Sequence, residues 1–222
     1  MRWLAAPLLL LPLAAGAESA AGICEESAER GAVPACLMAH RADPEDIVIH
    51  RLLARALFSV RLDEDAIATY AAIAAKHPGD ARPHFDHAAA LTALGRHGQA
   101  RPPIERALEL APADRGALEI AAIVLRALQD WPALVPVTAR LAGLDDARAM
   151  FELAELLGEG KGAARDVRAA LDWLARASAR GHVAAMDRLA EIHANGELGQ
   201  RRDAAKGRAW ARRAQKARDG EE

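Results

Sequence analysis

The chain has 222 residues and carries 29 Lys and Arg against 31 Asp and Glu, a formal net charge of -2. No strong field is available to hold nucleic acid or an anionic membrane, so neither is expected as a partner. Hydrophobic residues reach 52% with only 4% aromatic, a balance made of alanine and leucine that favours closely packed helices over sheets and excludes wholesale disorder.

The chain starts with Met1-Arg2-Trp3, an apolar stretch from Leu4 to Ala15, and then Ala15-Gly16-Ala17. One positive charge, an apolar run too short to span a bilayer and an A-x-A pattern predict a secretory signal peptide over residues 1–17, cleaved after Ala17. A periplasmic or secreted protein without an integral membrane span is expected, with an uncleaved N-terminal anchor as the alternative. The only cysteines, Cys24 and Cys36, are 12 apart in this exported segment, where oxidation is the default state. Gly31 and Pro34 mark a turn between them, so a disulfide is expected. Two free thiols, or a lipid on Cys24, remain the alternative. The spacing is not the C-x-x-C of a redox pair.

From about residue 46 the chain repeats itself every 34 residues: Ala54, Ala88 and Ala122 are joined by Leu57, Leu91 and Leu125, with Ala66 and Ala100, and Pro78 and Pro112, at the same interval. His50, Leu53, Ala54 and Leu57 share one helical face, and Ala66, Tyr70 and Ile73 follow on a second helix after a turn near Asp63. The next repeat offers His84, His87, Ala88 and Leu91, then Ala100, Ile104, Ala107 and Leu108. This stretch resembles the tetratricopeptide (TPR) family, most specifically at residues 107–114, ALELAPAD. Residues 115–146 keep Ala122 and Leu125 but place Leu134, Pro136 and Thr138 in the second helix, a degenerate third repeat.

At Ala149 the period lengthens to 36, pairing Ala149 with Ala185, Met150 with Met186, Leu153 with Leu189 and Gly160 with Gly196. It then slips to 37 for Asp166 and Asp203, Trp173 and Trp210, and Ala177 and Ala214, which puts one inserted residue in the loop after Gly196. Gly158, Gly160, Asp166, Ala170, Trp173, Ala177, Gly181, His182 and Ala185 match the motif of the Sel-one-like repeat, a relative of TPR, which this segment resembles. Around the turn, residues 27–36 parallel residues 178–186, with Gly31 matching Gly181 and Ala35 matching Ala185. The resemblance implies an all-α fold, a right-handed superhelical solenoid of antiparallel helix-turn-helix repeats. Residues 18–45 would form an N-terminal helical cap stapled by Cys24 and Cys36, 46–146 the TPR-like repeats, 147–219 two Sel-one-like repeats with a capping helix, and 220–222 a tail.

Signals of chemistry are few. His84 and His87 could begin a zinc site, but both fall on the packing stripe that His50 and Leu53 occupy one repeat earlier, so no metal is expected. Gly158-Glu159-Gly160-Lys161-Gly162 lacks the spacing and the preceding strand of a phosphate loop, and fits a repeat turn. No G-x-S-x-G, H-E-x-x-H or C-x-x-C occurs, so no catalytic residue and no cofactor are expected. The β-lactam binding linked to some cysteine-rich relatives does not carry over, because their repeat cysteines are absent.

Such a repeat stack presents its first helices on a concave side where extended ligands lie. Counting out the stripe beside the packing face gives Val48, Arg51, Arg55 and Phe58, then Arg82, Phe85, Ala89 and Thr92, then Glu119, Ile123 and Arg126. Guanidinium forks suit carboxylates and exposed aromatic rings suit apolar side chains, so the expected partner is a protein or peptide with an acidic or C-terminal segment, held by Arg51, Arg55, Phe58, Arg82, Phe85 and Arg126. Scattered surface charge, with the phenylalanines packed between repeats, is the competing picture. A second basic set, Arg165, Arg168, Arg176 and Arg180, lies in the C-terminal half. The asparagine-lysine clamp of cytosolic chaperone-binding TPR proteins is absent, Asn195 being the only asparagine. The functional expectation is a periplasmic or secreted interaction scaffold and not an enzyme. The alternative is an envelope enzyme or binding module acting on peptidoglycan or a β-lactam-like ligand.

Overall fold

The computed structural model describes residues 33–220 together with Gly22 and Cys24. The expected signal peptide 1–17 and its cleavage point after Ala17 lie outside the described residues, as do 221 and 222. Among the described residues every regular element is an α-helix. An N-terminal unit ends at Leu94 and a C-terminal unit starts at Gly95, a boundary inside the stretch expected to be TPR-like. The N-terminal unit holds α1 (Val33–Ala42), α2 (Ile47–Ser59), α3 (Asp63–Lys76) and α4 (Ala81–Ala93). The C-terminal unit holds α5 (His97–Leu110), α6 (Arg115–Ala127), α7 (Trp131–Gly143), α8 (Ala147–Glu159), α9 (Val167–Ala179), α10 (Val183–Asn195) and α11 (Ala204–Asp219). Within each unit a helix packs on the helices before and after it, as a row of hairpins must.

Local chemistry explains where these helices start. Asp46 caps α2, accepting from the Val48 and Ile49 N–H groups, and Asp80, Asp114 and Asp146 do the same for α4, α6 and α8. Each carboxylate satisfies an otherwise orphaned donor and faces the positive end of the helix dipole. Packing then follows the small residues: Ala54, Ala66, Ala88, Ala100 and Ala122 are buried, as are Leu57, Leu91 and Leu125. Helices meeting through alanine approach closely, and the leucines fill the space beside them. A close approach of this kind occurs at Gly207 on α11, where an added Cβ would stand 3.0 Å from the Ala190 carbonyl oxygen of α10.

The third repeat departs from the pattern in sequence yet forms a full hairpin of α6 and α7. Pro136 is the sixth residue of α7, which runs through it, so the ring removes the one helical hydrogen bond that this position would donate to the Pro132 carbonyl. Leu134 and Thr138 are both fully buried. The threonine hydroxyl donates to the Leu134 carbonyl at 2.7 Å, which removes the penalty of burying it.

At the N-terminal end, Cys24 and Cys36 form a disulfide with Cα atoms 4.7 Å apart. Both sulfurs sit in a core with Leu53, Ala56, Leu57 and Ala66, flanked by Val33, Leu52 and Phe58. The bridge is thus also a piece of apolar packing between α1 and the first hairpin. No helix among the described residues is long and apolar enough to cross a membrane.

Candidate functional site

In the N-terminal unit a depression of about 400 Å³ is lined by Val48, Arg51, Leu52 and Arg55 of α2, Tyr70 of α3, and Arg82 and Asp86 of α4. The α2 residues fall at helical spacing, one stripe away from the buried Leu53, Ala54 and Leu57, so burying one face fixes the direction of the other. Asp86 organises the floor. Its carboxylate accepts from Arg51 Nε at 2.5 Å and from Arg82 Nε at 2.9 Å. Only 12% of its side chain is exposed, against 31% for Arg51 and 59% for Arg82. Three guanidiniums against one carboxylate give the lining an excess of positive charge. Burial, reinforced by Asp86, pushes the Tyr70 phenol up to about 12, so its hydroxyl stays protonated and able to donate. Val48, 53% exposed, adds an apolar rim.

Arg51, Arg55 and Arg82 therefore come together as the sequence suggested. Phe58 does not join them: it is half-buried and packs against the core around the Cys24–Cys36 bridge, because that core needs a large apolar flank. This corrects its placement among the exposed anchors. Phe85 is half-buried beneath Arg82, whose guanidinium carbon is 5.0 Å from the ring centroid, so it holds an arginine in place.

Arg126 belongs to a separate depression in the C-terminal unit, about 340 Å³, lined in part by Glu119, Ile123, Arg126, Asp146, Arg148 and Glu152. There it is already engaged by Glu152 in a two-pronged pair, Nε–Oε1 and Nη2–Oε2 both 2.6 Å. Arg115 similarly bridges Glu119 at 2.9 Å and Asp146 at 2.5 Å. This second depression carries more carboxylates than guanidiniums, so it lacks the excess positive charge of the first. Tyr70, Asp86, Arg148 and Glu152 were missed from sequence. The i, i+4 pair Arg82–Asp86 was a visible signal for one of them.

The other basic set is largely occupied by local structure. Arg165 Nε donates to the Gly158 carbonyl at 2.9 Å, Arg176 stacks on Trp173 at 4.6 Å, and Arg180 pairs with Asp145 at 2.7 Å. The Gly158–Gly162 segment closes α8 and packs on α7: Lys161 Nζ lies 3.8 Å from the centre of the Trp131 ring. Gly162, at φ +81°, leaves no room for a side chain, since an added Cβ would collide with the Trp131 carbonyl and stand 2.9 Å from the Pro132 nitrogen. His87 is pushed down by burial and by neighbouring His84, whose Nε2 is buried without a hydrogen-bond partner. No group of three or more His, Cys, Asp or Glu is placed to hold a metal among the described residues.

Comparison with known proteins supports this repeat architecture. The Sel1 repeat family matches residues 147–182 and 183–217, and no curated protein sequence matches. Among solved structures, YrrB, a TPR protein with an unusual peptide-binding site, aligns with a TM-score of 0.64 at 21% identity, covering 85% of this chain and 94% of that one. A Sel1 repeat protein from Oxalobacter formigenes aligns with a TM-score of 0.52 at 24% identity over 96% of this chain and 91% of its own. MamA from Desulfovibrio magneticus RS-1 gives 0.57 at 17% identity, covering 79% and 94%. Residues 147–217 thus carry two Sel1 repeats, and with hairpin following hairpin in each unit the fold of the chain is similar to that of TPR and Sel1 repeat proteins.

Proposed function

We propose that this protein is an exported, non-enzymatic scaffold that binds a partner protein through an acidic segment laid in the N-terminal depression. The observation that carries this reading is the convergence of Arg51 and Arg82 on Asp86, the one carboxylate of the lining, with Arg55 in the same lining. Asp86 already shows how a carboxylate sits there, and the net positive charge of the lining favours a second. Val48 and Leu52 offer contact to an apolar side chain beside it, and Tyr70 offers a hydroxyl donor. The similar fold of a TPR protein with a peptide-binding site supports binding as the role of such a surface. Export is supported by the Leu4–Ala15 run, the Ala15-Gly16-Ala17 pattern and the paired cysteines, which persist in oxidising compartments.

The test is capture of partners on immobilised oxidised protein, followed by titration of the captured partner and of Glu-rich and Lys-rich peptides by fluorescence anisotropy. Arg51→Glu should weaken the partner and the Glu-rich peptide by about tenfold or more, with Arg176→Glu near wild type. Loss of binding in Arg176→Glu alone moves recognition to the C-terminal unit. Turnover of wall fragments or β-lactams by the purified protein overturns the non-enzymatic reading.

A further inference from the structure

A cluster of titratable groups at the N-terminal end takes no part in the depression. His40 on α1 and His50 on α2 face each other, ring centroids 4.0 Å apart and Nε2 atoms 3.3 Å apart. His50 is only 8% exposed, and Nδ1 of both rings is buried with no hydrogen-bond partner. A neutral imidazole has one donor and one acceptor nitrogen, whereas a protonated one has two donors. Once both rings are charged, the Nε2 contact becomes donor against donor, and each ring also buries an Nδ1–H with nothing to receive it.

Among the described residues, the anions near the pair are already engaged by other donors. The groups facing His50 are His40, Glu45 of the α1–α2 turn, and Lys76 and His77 at the end of α3. Glu45 is taken by Lys76 at 2.9 Å. The neighbouring carboxylates of Asp43 and Asp46 accept backbone N–H groups of the turn and of the α2 N-terminus. His77 Nε2 is itself buried without a partner. Burial first, and His40 second, hold His50 below the ordinary histidine value.

The covalent staple does not oppose separation. The disulfide ties α1 to the chain before it, not to α2. Against α2 the cap is held by apolar contact, Cys36 with Leu53 and Leu57, and Ala39 with Ile49. We propose that the His40–His50 pair is an acid-sensitive latch: the disulfide-bonded cap docks on α2 while the rings are neutral, and detaches when both are protonated. Detachment uncovers Ile49, Leu53 and Leu57. The latch stands independently of what the depression binds.

Its sign follows from linkage. With the cap undocked, His50 takes up a proton below about pH 6.5 that it rejects when the cap is docked, so docking is strongest above that value and weakens as pH falls. Amide hydrogen exchange on the oxidised full chain at pH 7.5 and 5.5, corrected for intrinsic exchange rates, tests it. Helix α6 contains no histidine and serves as internal reference. Protection of α1 should fall severalfold relative to α6 between the two pH values. His40→Gln retains a hydrogen-bonding side chain that does not titrate, and should shrink the loss of α1 protection between the two pH values, since the repulsion between two charged rings is gone and only the burial of His50 still links docking to pH. An α1 that tracks α6, or a variant with the wild-type response, overturns the latch. If the variant fails to dock α1 at any pH, imidazole titration of the wild type by NMR decides. Coupled uptake, the second proton entering more than about one pH unit below the first, supports the latch; independent titration of both rings near their ordinary value overturns it.

Discussion

Replacing Asp86 by asparagine should move stability and binding in opposite directions. The carboxylate receives Arg51 and Arg82, and both pairs are lost as ion pairs in Asp86→Asn. Because the two arginines are partly solvated, each pair is worth about 0.5–1 kcal/mol, so the variant should unfold about 1–2 kcal/mol more easily. For a guest carboxylate the change is favourable. Asp86 repels it, and a unit charge about 5 Å away in a medium of effective dielectric between about 20 and 80 contributes about 1–3 kcal/mol. The neutral amide also releases the Arg51 and Arg82 guanidiniums to turn towards the guest. Binding of a Glu-rich peptide should therefore tighten at least about fivefold, more at low salt than at high salt. Urea denaturation supplies the stability difference, and anisotropy titration at two salt concentrations supplies the affinities. If Asp86→Asn binds the acidic peptide more weakly while remaining folded, the carboxylate is a contact for a basic guest and the charge argument fails.

Three further outcomes follow from the same geometry. Replacing Cys24 and Cys36 by serine, or reducing the wild type, should cost about 2–3 kcal/mol in urea denaturation, since the bridge closes a short loop and its sulfurs fill the end core; an unchanged midpoint would show that the cap adds nothing. Gly162→Ala should destabilise the C-terminal unit by about 2–4 kcal/mol, because the new methyl collides with the Trp131 carbonyl on a backbone at φ +81°; a thermal midpoint within error of wild type sinks the reading of that loop. Burial pushes His182 down from its ordinary value while its Nδ1 accepts the Ala185 N–H at 3.2 Å and caps α10. Its stabilisation is thus complete above about pH 6.5 and declines as pH falls through the lowered value, when the acceptor is lost. His182→Asn, which keeps a capping acceptor worth about 1 kcal/mol, should shrink the loss of thermal stability between pH 7.5 and 5.5.

The sequence alone determined whatever depends on local or periodic chemistry. Alanine and leucine at intervals of 34 residues, glycine and tryptophan at 36 and 37, and cysteines 12 apart announced the repeats, their change of type and the staple. Helix packing consumes one stripe of each helix, and the stripe recurs whenever the same hairpin does. The aspartates at 46, 80 and 114 act just as locally, each capping a helix within three residues of itself, although the sequence reading did not single them out. What tertiary structure decided were choices between side chains of the same helix face. Phe58 and Arg55 lie three residues apart on α2, yet one turns to the Cys24–Cys36 core and the other lines the depression. The arginine stripe looked uniformly available, but Arg51 meets Asp86 from a helix 35 residues away, and Arg126 meets Glu152 from the helix pair that follows. Such pairings depend on how far neighbouring helices stand apart and on which carboxylate the next repeat presents, quantities that no periodicity within a single helix encodes.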